Sequence, residues 1–516
     1  MRYLLPVALL LVFGCQDPAS RAFSDFLATQ PDTRFDVLIR GGTVIDGSGA
    51  PGSNLDVLIE GDQLVFVGKV DTGKIVSTRM VDASGKVVCP GFVDVHAHGN
   101  VTRDAPFRNF LAMGVTSISL GQDGSSPDYE DIADWYADAA SSRPAVNIIP
   151  FVGHGTLRTL SGEGLVTDLS PQALDKMNRL LEDALQKGCF GMSTGLEYIP
   201  GTFAGAEELA LLAKTVGKYD GMIMSHVRNE DDDALNASIA ELLAQGQHCK
   251  VHVAHLKSVY GKGTARAEEL LSLLDQANTP YPVSADVYPY TASYTGIGIL
   301  FPEWAKAPND YEAVKVQKRT ELLDFLRSKV IARNGPGATL LGTEPYTGKT
   351  LEQLSEEQNR PFEEVLLDIG PTGASGAYFV MDETLMKRLI QDPRVMVSSD
   401  GSPTMNHPRG YGSFTKIIES YVLGEGLLSL EAAIHKMSGL PAATLGIRDR
   451  GKIAAGMKAD VLVFDPAALR TKADFPAPHQ YSEGMDLVLV NGQPALEKGI
   501  FSETRSGIML TKNNPQ

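Results

Sequence analysis

Between about residues 90 and 441 the chain repeats one pattern: a short apolar, β-favouring run, then an amphipathic helical stretch. The runs fall at 93–98, 116–120, 146–152, 188–194, 222–226, 250–255, 282–287 and 395–400. Stretches such as 172–181 place apolar residues at helical spacing between them. Strands joined by helices pair in parallel, and eight such units in alternation close into a (β/α)8 barrel of the TIM type, an α/β fold. The interval from about 288 to 394 is longer than one crossover, so it must also hold extra helices and loops.

Both ends of the chain read differently. Asp36-Val37-Leu38-Ile39-Arg40, Thr43-Val44-Ile45-Asp46, Asp56-Val57-Leu58-Ile59-Glu60 and Leu64-Val65-Phe66-Val67 are short strand-like runs separated by glycine-rich turns. The same vocabulary returns in Asp460-Val461-Leu462-Val463-Phe464 and Asp486-Leu487-Val488-Leu489-Val490. These predict a small β-sandwich domain built from residues 35–89 plus 442–512, around a barrel spanning 90–441.

Ahead of it, Met1-Arg2 and the apolar run from Leu4 to Phe13 are the right size for the core of a signal peptide and too short to span a bilayer. Gly14-Cys15 then resembles a bacterial lipobox, in which the cysteine is acylated and becomes the new N-terminus. The expectation is a signal peptide at 1–14, lipidation at Cys15, a tether at 15–34, and an exported lipoprotein on the periplasmic side whose only membrane contact is that anchor. The other cysteines, Cys89, Cys189 and Cys249, are odd in number and widely spaced, which predicts buried free thiols rather than a disulfide framework. An acidic balance, 46 Lys plus Arg against 63 Asp plus Glu, leaves nothing to neutralise phosphates and argues against a nucleic-acid partner. Nothing in the sequence sets an oligomeric state.

The chemistry lies at the ends of the predicted strands. His96-Ala97-His98 closes the first, and a period of two turns both imidazoles to one face. His226 ends the fifth, His255 the sixth and Asp400 the eighth. Barrel enzymes build their sites at that end of the strands. Imidazoles with a carboxylate suit Zn2+ or a similar divalent ion, and five such donors suit two ions better than one. His252, an odd number of residues from His255, is expected to face the helices; His248, His435 and His479 carry no signal of their own.

With these residues in view, the sequence resembles the amidohydrolase superfamily and, within it, the N-acyl-D-amino-acid deacylases. The resemblance is carried by Pro90-Gly91-Phe92-Val93-Asp94-Val95-His96-Ala97-His98, Gly153-His154-Gly155, Ser193-Thr194-Gly195-Leu196-Glu197-Tyr198-Ile199-Pro200-Gly201, His255-Leu256-Lys257, Asp286-Val287-Tyr288-Pro289-Tyr290, and Ser399-Asp400-Gly401 with His407-Pro408-Arg409. It implies metal-dependent hydrolysis of an N-acyl-D-amino acid: the metal activates a water, Asp400 takes its proton and returns it to the leaving amine, and His154 or Tyr198 holds the developing oxyanion. His154 is equally readable as a structural helper. Lys257, Tyr288 and Arg409 look like the set that grips the substrate carboxylate.

The sequence departs from the family at one point. D-aminoacylases with a cysteine ligand carry it after the second strand in a Gly-x-Cys-Gly setting, where this chain reads Gly121-Gln122-Asp123-Gly124. Residues 188–201 also lack the lysine that bridges two metals in other superfamily members. Glu197 is expected to serve as the bridging carboxylate, with Asp123 as its competitor. Two other substrate readings remain at this level: a dipeptidase acting on peptides with a C-terminal D-residue, and a cyclic-amide hydrolase. A non-catalytic scaffold is disfavoured because none of the histidine donors, nor Asp400, is missing.

Overall fold

The computed structural model describes residues 18–512; the expected signal peptide and Cys15 lie outside them. Among these residues the eight parallel strands are β1 (Phe92–Asp94), β2 (Val115–Leu120), β3 (Asn147–Gly153), β4 (Gly191–Gly195), β5 (Met222–His226), β6 (Lys250–Val253), β7 (Ser284–Val287) and β8 (Val395–Val397). They pair in sequence order. β1 and β8 close the ring just beyond their own ends: Asp400 N donates to His96 O and His98 N to Gly401 O, both at 2.8 Å. The barrel is therefore shut by the backbone of the stretches predicted to carry metal ligands.

Side-chain alternation sorts the strands into two faces. Ile148 and Val152, Ile223, Val251 and Val253, and Val395 and Val397 pack outward with helix residues such as Met177, Leu181, Leu212 and Ile239. The helices begin where caps allow. Ser170, for example, accepts from Ala173 N ahead of Pro171–Gln186, whose buried Met177 and Leu181 lie one turn apart. Ile149, Phe151, Met222, Met224 and Met396 alternate to the inside and form a separate cluster. His226 follows Met222 and Met224 on that inner face. His252 alternates with Val251 and Val253, so it too faces inward, contrary to expectation, and bonds Ser284 at 2.8 Å and Asp286 at 2.6 Å on β7. Strand alternation stops at Val253, where β6 ends. His255 lies past it with φ +35°, a left-handed turn that swings the ring inward despite its odd spacing.

The β-rich ends share one nine-stranded sheet. Val87–Pro90 runs parallel to Arg34–Val44 on one side and antiparallel to Val461–Phe464 on the other, knitting the two termini together. Val57, Ile59 and Leu64 from one end of the sheet share a core with Val461, Val463 and Leu487 from the other, so the sheet curls onto itself. The segment expected as a tether is folded from Pro18 onward. Helix Pro18–Ala28 buries Phe23 with Phe35, Leu38 and Leu58, and packs Phe23 and Phe26 at a tilt against the Phe66 ring with centroids 5.1 and 5.0 Å away. Its aromatic face made it part of the fold.

The long interval before β8 holds helices, as anticipated, and also a small sheet of Ser293–Gly296, Thr339–Leu341 and Ser375–Tyr378. Its strands are too short and too polar to stand out in sequence. The unit has its own core, around Leu322, Leu326, Val330 and Leu366, and leans over the barrel mouth. Cys89, Cys189 and Cys249 are free and buried.

At the opposite, N-terminal end, a buried polar knot ties the barrel to the outer sheet. Arg450 Nη1 donates to Asp460 Oδ2 at 2.5 Å, Asn147 Nδ2 to the same oxygen at 3.0 Å, and Asn491 N to Asp460 Oδ1 at 2.7 Å. Replacing Asp460 by Ala should leave the buried Arg450 with only its longer ion pair to Asp449, Nε to Oδ1 at 3.6 Å, and cost about 3 kcal/mol. A large fall in the thermal midpoint, partly restored in Asp460→Asn, is the expected outcome of a calorimetric comparison.

Candidate metal centre

Four imidazoles and two carboxylates converge where the barrel closes. His96 and His98 come from the turn after β1, Asp123 from the turn after β2, His226 from the end of β5, His255 from just past β6 and Asp400 from just past β8. His96 Nε2 lies 3.2 Å from Asp123 Oδ1 and 3.7 Å from Asp400 Oδ1. His98 Nε2 lies 3.4 Å from Asp123 Oδ2 and 3.1 Å from Asp400 Oδ1. On the other side, His255 Nε2 is 3.3 Å and His226 Nδ1 4.0 Å from Asp123 Oδ1. Asp123 thus stands in the middle, within reach of all four rings.

The local backbone is bent to achieve this. Asp123 and Asp400, at φ +52° and +47°, share the left-handed conformation of His255. Non-glycine residues rarely adopt it, and such departures concentrate where function demands them. The Asp123 turn also presses on β4. A Cβ on Gly195 would fall 2.1 Å from Asp123 O, and one on Gly124 would fall 2.7 Å from Gly195 N. Only glycines at both positions let the turn come this close.

A second ring of carboxylates orients the imidazoles. Glu197 Oε2 is 2.9 Å from His226 Nε2, which leaves Nδ1 of that ring facing the cluster. Glu197 therefore lies on the outer side of His226 and touches none of the β1 histidines or Asp400. With His226 and Glu230 it forms a further group that could hold an ion, while Asp123, its competitor for the bridging place, stands at the centre of the four rings. The short side chain reaches because the turn itself moves inward. Glu230, which sequence reasoning missed, contacts His255 Nδ1 at 3.3 Å, His226 Nε2 at 3.9 Å and Lys257 Nζ at 2.5 Å. Its only sequence mark is its spacing of four from His226. Such outer partners set which ring nitrogen is free to bind a metal. Beneath them Asp286 accepts from His252 and from His255 N.

The electrostatics favour cations. Burial opposes a charge on His98 and on His255, yet the carboxylates beside them prevail and raise these imidazoles to about 9 and about 10. Burial likewise favours neutral acids at Asp123 and Asp400, but the surrounding imidazoles, with Arg409 at Asp400, hold both carboxyls far below the usual range. Both ring nitrogens of His96 and Asp123 Oδ1 are buried without a hydrogen-bond partner. Buried polar atoms are rarely left so. His96, His98, Asp123 and Asp400 form one metal-sized group of donors, and Asp123, His226 and His255 another. These donors fit divalent ions.

The cluster floors a cavity of about 670 Å³, walled by Tyr198, Ser293, Thr295, Lys257, Arg333 and Arg409 among others. Tyr198 packs at a tilt on His226 with ring centroids 4.5 Å apart, and its hydroxyl accepts from Thr295 Oγ1 at 3.3 Å. Arg409, 2% exposed, pairs through Nη1 with Asp400 Oδ2 at 2.9 Å, while its Nε has no partner. Lys257 Nζ also meets His255 Nδ1 at 2.8 Å. Tyr288 is brought between these two cations, 4.7 Å from Arg409 and 5.9 Å from Lys257, but its hydroxyl points to Met381 Sδ. It offers the cations a ring face instead of offering the cavity a hydroxyl. His154 is not part of the wall. It opens helix His154–Ser161, bonds Glu208 Oε1 at 2.7 Å beside Arg158, and is wholly buried, which fits the structural reading.

Comparison with known proteins agrees with this geometry. The sequence model of the amidohydrolase family matches residues 342–496. N-acyl-D-glutamate deacylase of Alcaligenes xylosoxydans xylosoxydans is 33% identical over 89% of this chain and 93% of that protein. D-aminoacylase of the same organism is 31% identical over 94% of this chain and 99% of its own. A D-aminoacylase structure described as having a binuclear metal center superposes with a TM-score of 0.80, at 29% identity, over 92% of this chain and 100% of that one. N-acyl-D-glutamate deacylase from Bordetella bronchiseptica, complexed with zinc and a phosphonate mimic of the tetrahedral intermediate, superposes at 0.79 and 29%, over 93% and 100%. With such matches along nearly the whole chain, and with the imidazole and carboxylate cluster set at the barrel mouth, the protein belongs to the N-acyl-D-amino-acid deacylase family of the amidohydrolases.

Proposed function

We propose that this protein hydrolyses the amide bond of N-acyl-D-amino acids, releasing a carboxylate and a free D-amino acid. The observation that carries the reading is the convergence of four imidazoles, Asp123 and Asp400 on the floor of a cavity that Lys257 and Arg409 also line. His96, His98, His226, His255, Asp123 and Asp400 would hold one or two divalent ions, and the zinc complex of a relative supports Zn2+. When bound, such an ion polarises an amide carbonyl and makes a nearby water more acidic.

The chain's own groups supply the rest. Asp400, held ionised, accepts a proton from the attacking water through Oδ1 as the water oxygen bonds to the carbonyl carbon. As the C–N bond breaks, its electron pair passes to nitrogen and Asp400 returns the proton there. Tyr198, whose phenol burial keeps protonated, is placed on the wall to donate to the carbonyl oxygen. Arg409 and Lys257 supply positive charge for the α-carboxylate, Arg409 with its free Nε as a ready donor. The glutamate and other D-amino-acid specificities named for the relatives support the D-configuration.

A screen of N-acetyl-D-amino acids, their L-enantiomers and dipeptides with C-terminal D-residues should show turnover chiefly of the first group. Replacing Arg409 by Ala should lower kcat/KM for the acids about 30-fold more than for the matching α-amides. Dipeptide-only turnover, an L-preference, or equal losses on acids and amides would count against the assignment.

Asp400→Asn should fold normally yet reduce kcat by about 100- to 10,000-fold with a much smaller change in KM, because an amide cannot carry the proton. Near-normal kcat in a steady-state assay would hand the proton transfer to another group.

The apolar run before Cys15 supports an exported enzyme anchored through that cysteine. Labelled palmitate should enter the full-length chain in a bacterial host and be absent from Cys15→Ser; equal labelling of both would remove the anchor.

A further inference from the structure

Asp123 is the carboxylate common to the two donor groups that flank the centre, one with His96, His98 and Asp400, the other with His226 and His255. Its two oxygens are divided between them. Oδ2 faces His98 at 3.4 Å, while Oδ1 faces His255 at 3.3 Å and His226 at 4.0 Å, and stands 3.2 Å from His96. Oδ1 is buried with no hydrogen-bond partner, although the side chain sits among potential donors. The left-handed backbone and the glycine contacts at Gly124 and Gly195 hold this carboxylate in place, so its position does not depend on a flexible stem. The other candidates for a shared anion are engaged elsewhere. Glu197 lies behind His226, Glu230 is taken by Lys257 and the outer ring nitrogens, and Asp400 is held by Arg409.

The donor set is also chemically uniform. The described cysteines are buried outside the cluster, so every available donor is an imidazole nitrogen or a carboxylate oxygen. Thiolates select soft and borderline ions such as zinc, whereas carboxylates also suit manganese. Resting on the metal-dependent reading of the site, we propose that Asp123 is the shared ligand of a two-ion centre, and that this all-nitrogen-and-oxygen centre binds Mn2+ pairs as well as Zn2+ pairs. One carboxylate that touches both ions also offsets their mutual repulsion.

The test uses the full-length protein, stripped with chelator, loaded with Mn2+ or Zn2+ and freed of excess ion by gel filtration. Wild type should retain about two equivalents of either ion, and the manganese form should give the exchange-coupled electron paramagnetic resonance signal of a pair. Asp123→Asn, which keeps the shape but not the charge, should retain one equivalent or less and show only the six-line signal of isolated Mn2+. Asp123→Cys should keep two Zn2+ while holding Mn2+ at least about tenfold more weakly, since a thiolate now faces a hard ion. It stands in should the Asn variant fail to fold. Glu197→Gln should leave both ions bound. Two coupled Mn2+ in Asp123→Asn, or undiminished Mn2+ retention in Asp123→Cys, would overturn the proposal while leaving the metal-dependent reading intact. A wild type that binds neither ion would overturn both.

Discussion

The hydrogen bonds that shut the barrel, between His96 and Asp400 and between His98 and Gly401, carry more of this molecule than any others. They join the first and last strands across some three hundred residues of chain. They also fix the backbone of three candidate ligands in a single contact. Asp94 reinforces the seam, with Oδ1 accepting from both His96 N and Ser399 N. Closure of the fold and assembly of the site are thus one event. A loosened seam would separate His96 and His98 from Asp400, whatever the other six strands did.

The seam concentrates charge that the protein by itself balances only partly. Asp123, Asp400, Glu197 and Glu230 crowd against four imidazoles, and each buried carboxylate needs a partner to remain ionised. Lys257 answers Glu230 and Arg409 answers Asp400, while Asp123 has no fixed cation. Against the pull of burial, the carboxylates beside His98 and His255 raise these two imidazoles, whereas burial lowers His96. Divalent ions resolve the same imbalance with full charges and without protons. Lys257 and Arg409, each paired with one of these carboxylates, also line the cavity.

Above the seam, the unit between β7 and β8 forms the remaining wall. Ser293 and Thr295 come from its first strand and Arg333 from the end of helix Arg319–Ala332. Arg333 shares Asp231 with Lys329, and its ring neighbours Tyr260 and Tyr378 pack on the guanidinium, so this part of the wall carries excess positive charge. The unit has its own apolar core, around Leu322, Leu326, Val330 and Leu366.

The barrel was legible in the sequence because burial on both faces and the alternation of strand and helix are local patterns that a one-dimensional reading captures. The end-of-strand histidines and Asp400 were legible for the same reason: residue type and position along a strand are enough to place them at the mouth. Folding of the chain in space decided the rest. His252 turned inward against expectation, and His255 reached the cluster despite its odd spacing, because β6 stops at Val253 and the backbone turns left-handed, which no parity count registers. Asp123 stands nearer the centre than Glu197 because reach depends on how closely two turns approach, and that was set by the contact of the Asp123 turn with Gly195. Glu230 joined the site, and His154 left it, through partners contributed by other elements: Lys257 for the one, Glu208 and Arg158 for the other. Sequence by itself determined which elements form and which residue types meet at the barrel mouth, because those follow from local propensity and burial. Tertiary structure alone decided which carboxylate stands at the centre, because that depends on distances between segments far apart in the chain.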